Sequence, residues 1–265
     1  MEQMEETAPG SYAWDNAWGE ARRRLDLLEQ AWDPVSHIRL QRVGLRAGWR
    51  CFEVGGGGGS IVRWLCDAVG PEGAVVTVDI DTRFLVEIDA PNLEVIEADV
   101  VTDGLPEGPF DLIHTRAVLM HIPARDRLLP ELVGRLRPGG SLVIEEADFH
   151  SFEATESPLY RDVWRLFGEI TRNAAGMESQ WARTMAPRLA ALGLTDVRSD
   201  AHTSIFSGGS AEAEFYRVTF LQARDLLLAN GLDEEAFDEF RSLLEDGTQW
   251  FPGPAMVVAT GRRPG

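Results

Sequence analysis

Apolar residues in this chain come in two rhythms that alternate. Short runs, apolar nearly throughout, lie at residues 49–54, 74–80, 93–98, 110–115 and 141–147, and each predicts a buried strand. Between them apolar positions return every three or four residues. After Ser60 the set Ile61, Trp64, Leu65, Ala68 and Val69 marks one face of a helix, stopped by Gly70-Pro71. A short helical piece is expected over 82–88 and a longer helix over 124–136. Upstream, helical spacing over 12–30 ends at Asp33-Pro34, and a second helix over 35–43 closes at Gly44. Downstream, helices are predicted over 158–175, 180–192, 210–230 and 234–245, with strands over 197–206 and 255–261. Strands apolar on both faces and separated by helices imply a parallel sheet covered on both sides. The helical pair between the last two strands is then a natural cap over the mouth of that sheet.

Ligands of such a sheet bind beyond the carboxyl ends of its strands, so chemistry is sought there. Five glycines, Gly55 to Gly59, connect the first strand to the helix that follows. Glycine permits a tight turn and lets a ligand press on the backbone, and the helix amides behind it favour an anionic group. Asp79 ends the second strand and Asp99-Val100 follows the third. Thr115, Arg116 and His121 follow the fourth, and Glu145, Glu146, Asp148 and His150 lie at the end of the fifth. A carboxylate where Asp79 stands suits ribose hydroxyls, and Asp99 with the Val100 amide suits an adenine edge. Each acid taken singly also fits a solvated turn. His121, in Leu119-Met120-His121-Ile122-Pro123, is the candidate general base, with Asp148 to orient it and His150 as second choice. The competing role for His121 is a buried structural histidine. Trp14 and Trp18 fit either core packing or an aromatic lid.

Composition narrows the classes. With 265 residues, 44% of them apolar, the chain can bury a full core. A formal net charge of −18 argues against binding a phosphate backbone, and all the basic residues are arginines. Two cysteines, Cys51 and Cys66, make no disulfide framework. No apolar run reaches the length of a membrane span, and the acidic first ten residues do not resemble a signal peptide. A cytoplasmic protein with neither nucleic acid nor membrane as partner is therefore expected, and no metal.

The segments Glu53-Val-Gly-Gly-Gly-Gly-Gly59, Val78-Asp-Ile-Asp81, Glu97-Ala-Asp-Val100, Phe110-Asp-Leu-Ile-His114 and Leu136-Arg-Pro-Gly-Gly-Ser-Leu142 resemble the successive motifs of class I S-adenosylmethionine-dependent methyltransferases, in order and approximate spacing. More loosely, Ala21-Arg-Arg-Arg-Leu-Asp-Leu-Leu-Glu29 and Val258-Ala-Thr-Gly-Arg262 look like an actinobacterial-type subgroup acting on small molecules. The resemblance implies an α/β fold: a Rossmann-like, doubly wound, seven-stranded, mostly parallel sheet with an antiparallel last strand, plus N-terminal helices and a helical cap. It implies an acidic tail and lid helix over 1–34 and a methyltransferase domain over 35–265, with cap insertions at about 151–192 and 208–250. S-adenosylmethionine is the implied cofactor. Gly55, Gly57 and Gly59 would hold its methionine part, Thr115 its amino group through the main chain, Asp79 the ribose and Asp99 the adenine. Glu53, Ile80 and Val100 complete the implied cofactor set. The unbroken glycine run departs from the family, which usually has a small side chain or two there.

The implied reaction is in-line methyl transfer to a small molecule, such as a secondary metabolite or peptide-derived natural product, by a monomer or homodimer. Two other classes fit part of the pattern. A nicotinamide-dependent oxidoreductase also uses Gly-x-Gly and a distant acid, but Ser60 stands where its third glycine belongs and Asp99 has no role there. A scaffold that binds the cofactor without turning it over needs no base at all.

Overall fold

The computed structural model describes residues 16–265. Its seven strands are β1 (Arg50–Val54), β2 (Ala74–Asp79), β3 (Leu93–Glu97), β4 (Phe110–Arg116), β5 (Leu136–Asp148), β6 (Thr195–Ser207) and β7 (Trp250–Arg262). They form one sheet in the order β3-β2-β1-β4-β5-β7-β6. The first five run parallel, and β7 lies antiparallel to both β5 and β6. The strand order reverses at β1, beside β4, so the ends of these two strands flank the crevice where a ligand belongs.

The helices are α1 (Ala21–Arg42), α2 (Ser60–Val69), α3 (Arg125–Arg135), α4 (Pro158–Ala175), α5 (Met185–Ala191), α6 (Ala211–Gln222), α7 (Arg224–Ala229) and α8 (Glu234–Glu245). Helix α2 buries Ile61, Val62, Leu65, Cys66 and Val69 against Val75, Leu112 and Val143 of the sheet. Ile61, Leu65 and Val69 belong to the expected stripe, while Val62 and Cys66 are buried and Trp64 and Ala68 only partly so. Helices α6, α7 and α8 lie between β6 and β7 in sequence and pack with α4 around a second core. There Trp164 stacks on Phe152 with ring centroids 3.8 Å apart and meets Phe220 edge-on at 4.7 Å.

Several elements differ from the spacing-based expectation, each for a local reason. The N-terminal region is one helix, α1, which runs through Pro34 instead of ending before it. Its anchors straddle the proline: Asp33 pairs with Arg116 at 2.8 Å, while Ser36 and Arg39 bond Glu145 at 3.0 and 2.9 Å. These tertiary bonds outweigh the backbone bond that proline cannot make. The piece around Thr82–Ile88 forms turns without a regular helix, closed by Leu85 and Val86 amides on Thr82 O. Strand β5 begins at Leu136, earlier than expected, with an irregular register against β4. The stretch after Gln180 opens as a 3-10 turn, Trp181–Thr184, before α5. Trp14 lies outside the described residues.

Candidate active site

A cavity of about 630 Å³ opens over the carboxyl ends of β1, β2 and β4, between the sheet, α1 and the cap. Its sheet side begins with the glycine turn. Gly57 has φ +53 and borders the open space, a backbone conformation and a close approach that favour glycine. Gly58 is glycine for a different reason: a Cβ there would collide with Glu29 Oε1 of α1. At Gly56 it would run into Thr77 and Leu85. The interstitial positions of the run are thus filled by neighbouring side chains, which accounts for the absence of side chains within the turn itself.

Asp79 is fastened to this turn. Its Oδ2 accepts from Gly57 N at 2.9 Å and its Oδ1 from Asp81 N at 3.1 Å. Burial pushes its carboxyl above the usual range despite these amides. Asp99 is held in a turn of its own, accepting from Val101 N at 2.7 Å, while its amide donates to Asp103 at 2.9 Å. Gly55, Gly57, Asp79, Ile80, Asp99 and Val100 all line the cavity. Carboxylates on the cavity wall beside a glycine turn fit an adenosyl sulfonium ligand in charge and in hydrogen-bonding sense.

His121 faces the same cavity from the 3-10 turn Leu119–His121. That turn sits over Glu146, fully buried, whose carboxyl accepts from the amides of Val118, Leu119 and Met120 at 3.2, 2.8 and 3.3 Å. Burial raises Glu146 to about 8, with the three amides opposing. Burial first, and then Arg24 and Arg125, lower His121 to about 4, so its imidazole is neutral near pH 7.

The structure does not bring Asp148 to His121. Asp148 is buried and bonded to Arg183 and to His150 Nδ1, the latter at 2.8 Å, and these partners hold its carboxyl low against burial. Neither Asp148 nor the exposed His150 borders the cavity among the described residues. Three members of the expected cofactor set also lie off its walls. Gly59, at φ +91, precedes α2 and is covered by Ile88 and Arg63. Thr115 is wholly inside the sheet, and Ala117, two residues on at φ 54, lines the cavity instead.

Glu53 is the third, and it belongs to a charged floor beneath the site. His114, fully buried, bonds Glu53 through Nδ1 at 2.7 Å and Glu145 through Nε2 at 3.4 Å. Burial alone would lower its pKa, but the two carboxylates raise it to about 9. Burial opposes ionisation of Glu145, yet His114, Arg39 and Arg116 bring it down to about 2. The result is an imidazolium between two carboxylates, with Arg39 continuing to Asp200 at 3.0 Å.

Spacing did not single out the contribution of α1, which supplies Arg24, Leu25, Leu28, Glu29 and Trp32 to the wall. The available signal was the polar run Arg22-Arg23-Arg24 and Glu29 on a helix otherwise patterned for packing. Trp32, not Trp18, is the aromatic residue this region presents to the cavity among the described residues. The opposite wall is apolar, built from Met120, Phe149, Trp164, Phe167, Phe215 and Tyr216.

Known proteins resemble this chain in sequence and in fold. Residues 52–144 match the model of a methyltransferase domain. Trans-aconitate 2-methyltransferase of Methylobacterium nodulans is 29% identical over 264 residues, covering 92% of this chain and 98% of that protein. The ubiquinone/menaquinone biosynthesis C-methyltransferase UbiE of Hahella chejuensis is 30% identical over 115 residues, 40% of this chain and 46% of that protein. The fold is shared with phosphoethanolamine N-methyltransferase 2 of Haemonchus contortus, solved with S-adenosyl-L-methionine, at a TM-score of 0.58 and 16% identity, covering 94% of this chain and 59% of that one. The cyclopropane synthase MmaA2 of Mycobacterium tuberculosis gives 0.59 at 14% identity, covering 89% and 85%. The glycine turn, the acid at the end of β2, the strand order and these similarities together identify an S-adenosylmethionine-dependent methyltransferase with the class I, Rossmann-like fold.

Proposed function

We propose that this enzyme methylates a small molecule with an apolar, ring-containing body, of the kind found among secondary metabolites and peptide-derived natural products. The observation that carries this reading is the acceptor wall, where Met120, Phe149, Trp164, Phe167, Phe215 and Tyr216 enclose the space beside His121. A concave, mostly apolar lining with few polar groups suits a small ligand and not a polymer. The net charge of −18 supports the exclusion of nucleic acid. A monomer or a homodimer would serve equally, since the lining comes from one chain.

The cofactor supplies an electrophilic methyl on a sulfonium, and the chain supplies the rest. Gly55 and Gly57 form the cradle for its amino-acid portion, Asp79 receives the ribose, and Asp99 with Val100 receives the adenine. Holding acceptor and donor in line can account for roughly 7–11 kcal/mol of barrier. The aromatic wall and α1 exclude water that would compete. Where the acceptor arrives protonated, His121 accepts the proton on its imidazole.

Calorimetry on the purified chain tests the cofactor assignment. Asp79→Ala should weaken S-adenosylmethionine binding by about 2–4 kcal/mol, at roughly 1.5–3 kcal/mol for each hydrogen bond to a charged group with allowance for non-additivity. Undiminished affinity in the variant would refute the role of Asp79. For the acceptor, the protein is incubated with methyl-labelled cofactor and either the dialysable or the retained fraction of a cell extract. Label should pass into dialysable material; transfer only into the retained fraction would overturn the small-molecule reading.

A further inference from the structure

We propose that Glu29 of α1 receives the α-ammonium group of the cofactor, so that the N-terminal helix is part of the cofactor site and not only its cover. This rests on the cofactor assignment above. Glu29 lines the cavity next to Gly57 and Gly58, and its carboxyl occupies the space that a Cβ at Gly58 would fill. One oxygen, Oε1, accepts from Ser60 N at 3.3 Å, a long bond that ties the carboxylate to the first turn of α2. The side chain is 14% exposed, and its cationic neighbour Arg22 comes only to 4.0 Å. Arg22 is itself committed to Asp26 at 2.7 Å and to Gly58 O at 3.1 Å.

A second acid, Asp33, sits one turn further along α1, paired with Arg116 at 2.8 Å and bonded by Ser60 Oγ at 3.1 Å. Asp33 therefore has a close guanidinium partner and Glu29 does not. Burial, and then Asp33, raise the Glu29 pKa, as expected of a carboxylate short of positive charge. The methionine end of the cofactor carries a primary ammonium, a compact cation with three donors. The glycine turn is where that end lies, and two acids on the cavity wall are set against it: Asp79, with each oxygen accepting from a backbone amide, and Glu29, with such a bond to Oε1. Capping of α2 accounts for Oε1, which bonds Ser60 N and fills the space at Gly58. It leaves Oε2 of this cavity-lining side chain with Arg22 no nearer than 4.0 Å.

The test compares ligands with and without the amino-acid end. S-adenosylhomocysteine, a neutral thioether like 5′-methylthioadenosine, is measured beside them to remove the sulfonium charge as a second difference, and should follow S-adenosylmethionine. Calorimetry on the full chain measures S-adenosylmethionine and 5′-methylthioadenosine, which keeps the adenosine and the sulfur but lacks the amino-acid portion. Glu29→Gln preserves shape and can still accept from Ser60 N. It should weaken S-adenosylmethionine about tenfold or more, as loss of a charge-assisted bond does, and leave methylthioadenosine within about twofold, since no bond to that ligand is lost. Equal losses for both ligands, no loss for either, or tighter S-adenosylmethionine binding would each overturn the assignment. Tighter binding would mean that Glu29 occupies the place of the cofactor's own carboxylate. Asp79→Asn serves as the reference, because it should weaken both ligands. If wild-type protein binds neither, the cofactor site itself has been misplaced, a result distinct from failure of Glu29.

Discussion

His121 illustrates how one side chain can be legible in sequence while its chemistry is not. Its position after β4 and before Pro123 placed it in the cleft, and the cavity contains it. Asp148, the expected orienting acid, bonds Arg183 and His150. What steadies the His121 turn is Glu146, through backbone amides that no side-chain pattern could reveal. A neutral imidazole with a pKa near 4 is a weaker base than an unperturbed one near 6.5. If it accepts the acceptor's proton, His121→Ala should lower turnover by about 10²–10⁴-fold with cofactor affinity retained. The ascending limb of the pH–rate profile should then lie near pH 4, well below the ordinary histidine range, and disappear in the variant. Near wild-type turnover with the same profile would leave His121 a structural residue and assign the rate to positioning alone.

At the scale of elements, the helix–strand alternation was readable because buried parallel strands are uniformly apolar and the covering helices are not. Helices α2, α4 and α8 fall where the spacing puts them. The misreadings share a cause: local signals were overruled by contacts distant in sequence. Pro34 is the clearest case. It removes a backbone bond from the middle of a 22-residue helix whose course is held by Asp33, Ser36 and Arg39 bonding to other elements. Proline within a helix costs on the order of 3 kcal/mol. Pro34→Ala should therefore stabilise the protein by about 1–3 kcal/mol, part of that cost being already relieved in the native helix. In thermal unfolding this is a rise of several degrees, about 2–4 °C per kcal/mol for a chain of this size class. A lower melting temperature would mean that the helix needs the proline's geometry.

For the molecule as a whole, the charged floor makes stability depend on pH. His114 is held near pKa 9 in the folded chain, against about 6.5 when unfolded. The folded state thus binds the extra proton between these values. Its stabilising contribution is complete below about pH 6.5 and is lost as pH rises through about 9. Glu145, held near 2 against an ordinary 4.5, works in the opposite sense, with a contribution present above about 4.5 and lost as pH falls toward 2. Melting temperatures should accordingly fall from about pH 6.5 to 9, with Glu146, raised to about 8, adding to the fall in its lower part. His114→Gln should reduce the slope, most clearly above about pH 8. A limb of unchanged slope in the variant would place the titrating group elsewhere. This network escaped the sequence reading because His114, Glu53, Glu145 and Arg39 lie on four separate elements, and a histidine within an apolar strand reads as core.

The strand order also fixes when this enzyme can come into being. The last strand, β7, is inserted between β5 and β6 and touches both along most of its length. Residues 52–144 carry the methyltransferase motifs, yet the cavity wall extends from Asn16 to Met256. A chain still emerging during synthesis can assemble the parallel half early, but until residue 250 and beyond arrive, β5 presents an open edge built from buried residues. Such an edge invites pairing with other chains. Shortening the protein at its carboxyl end would therefore do more than trim a surface strand. It would leave a partly folded sheet, adhesive at its centre, in place of a smaller enzyme.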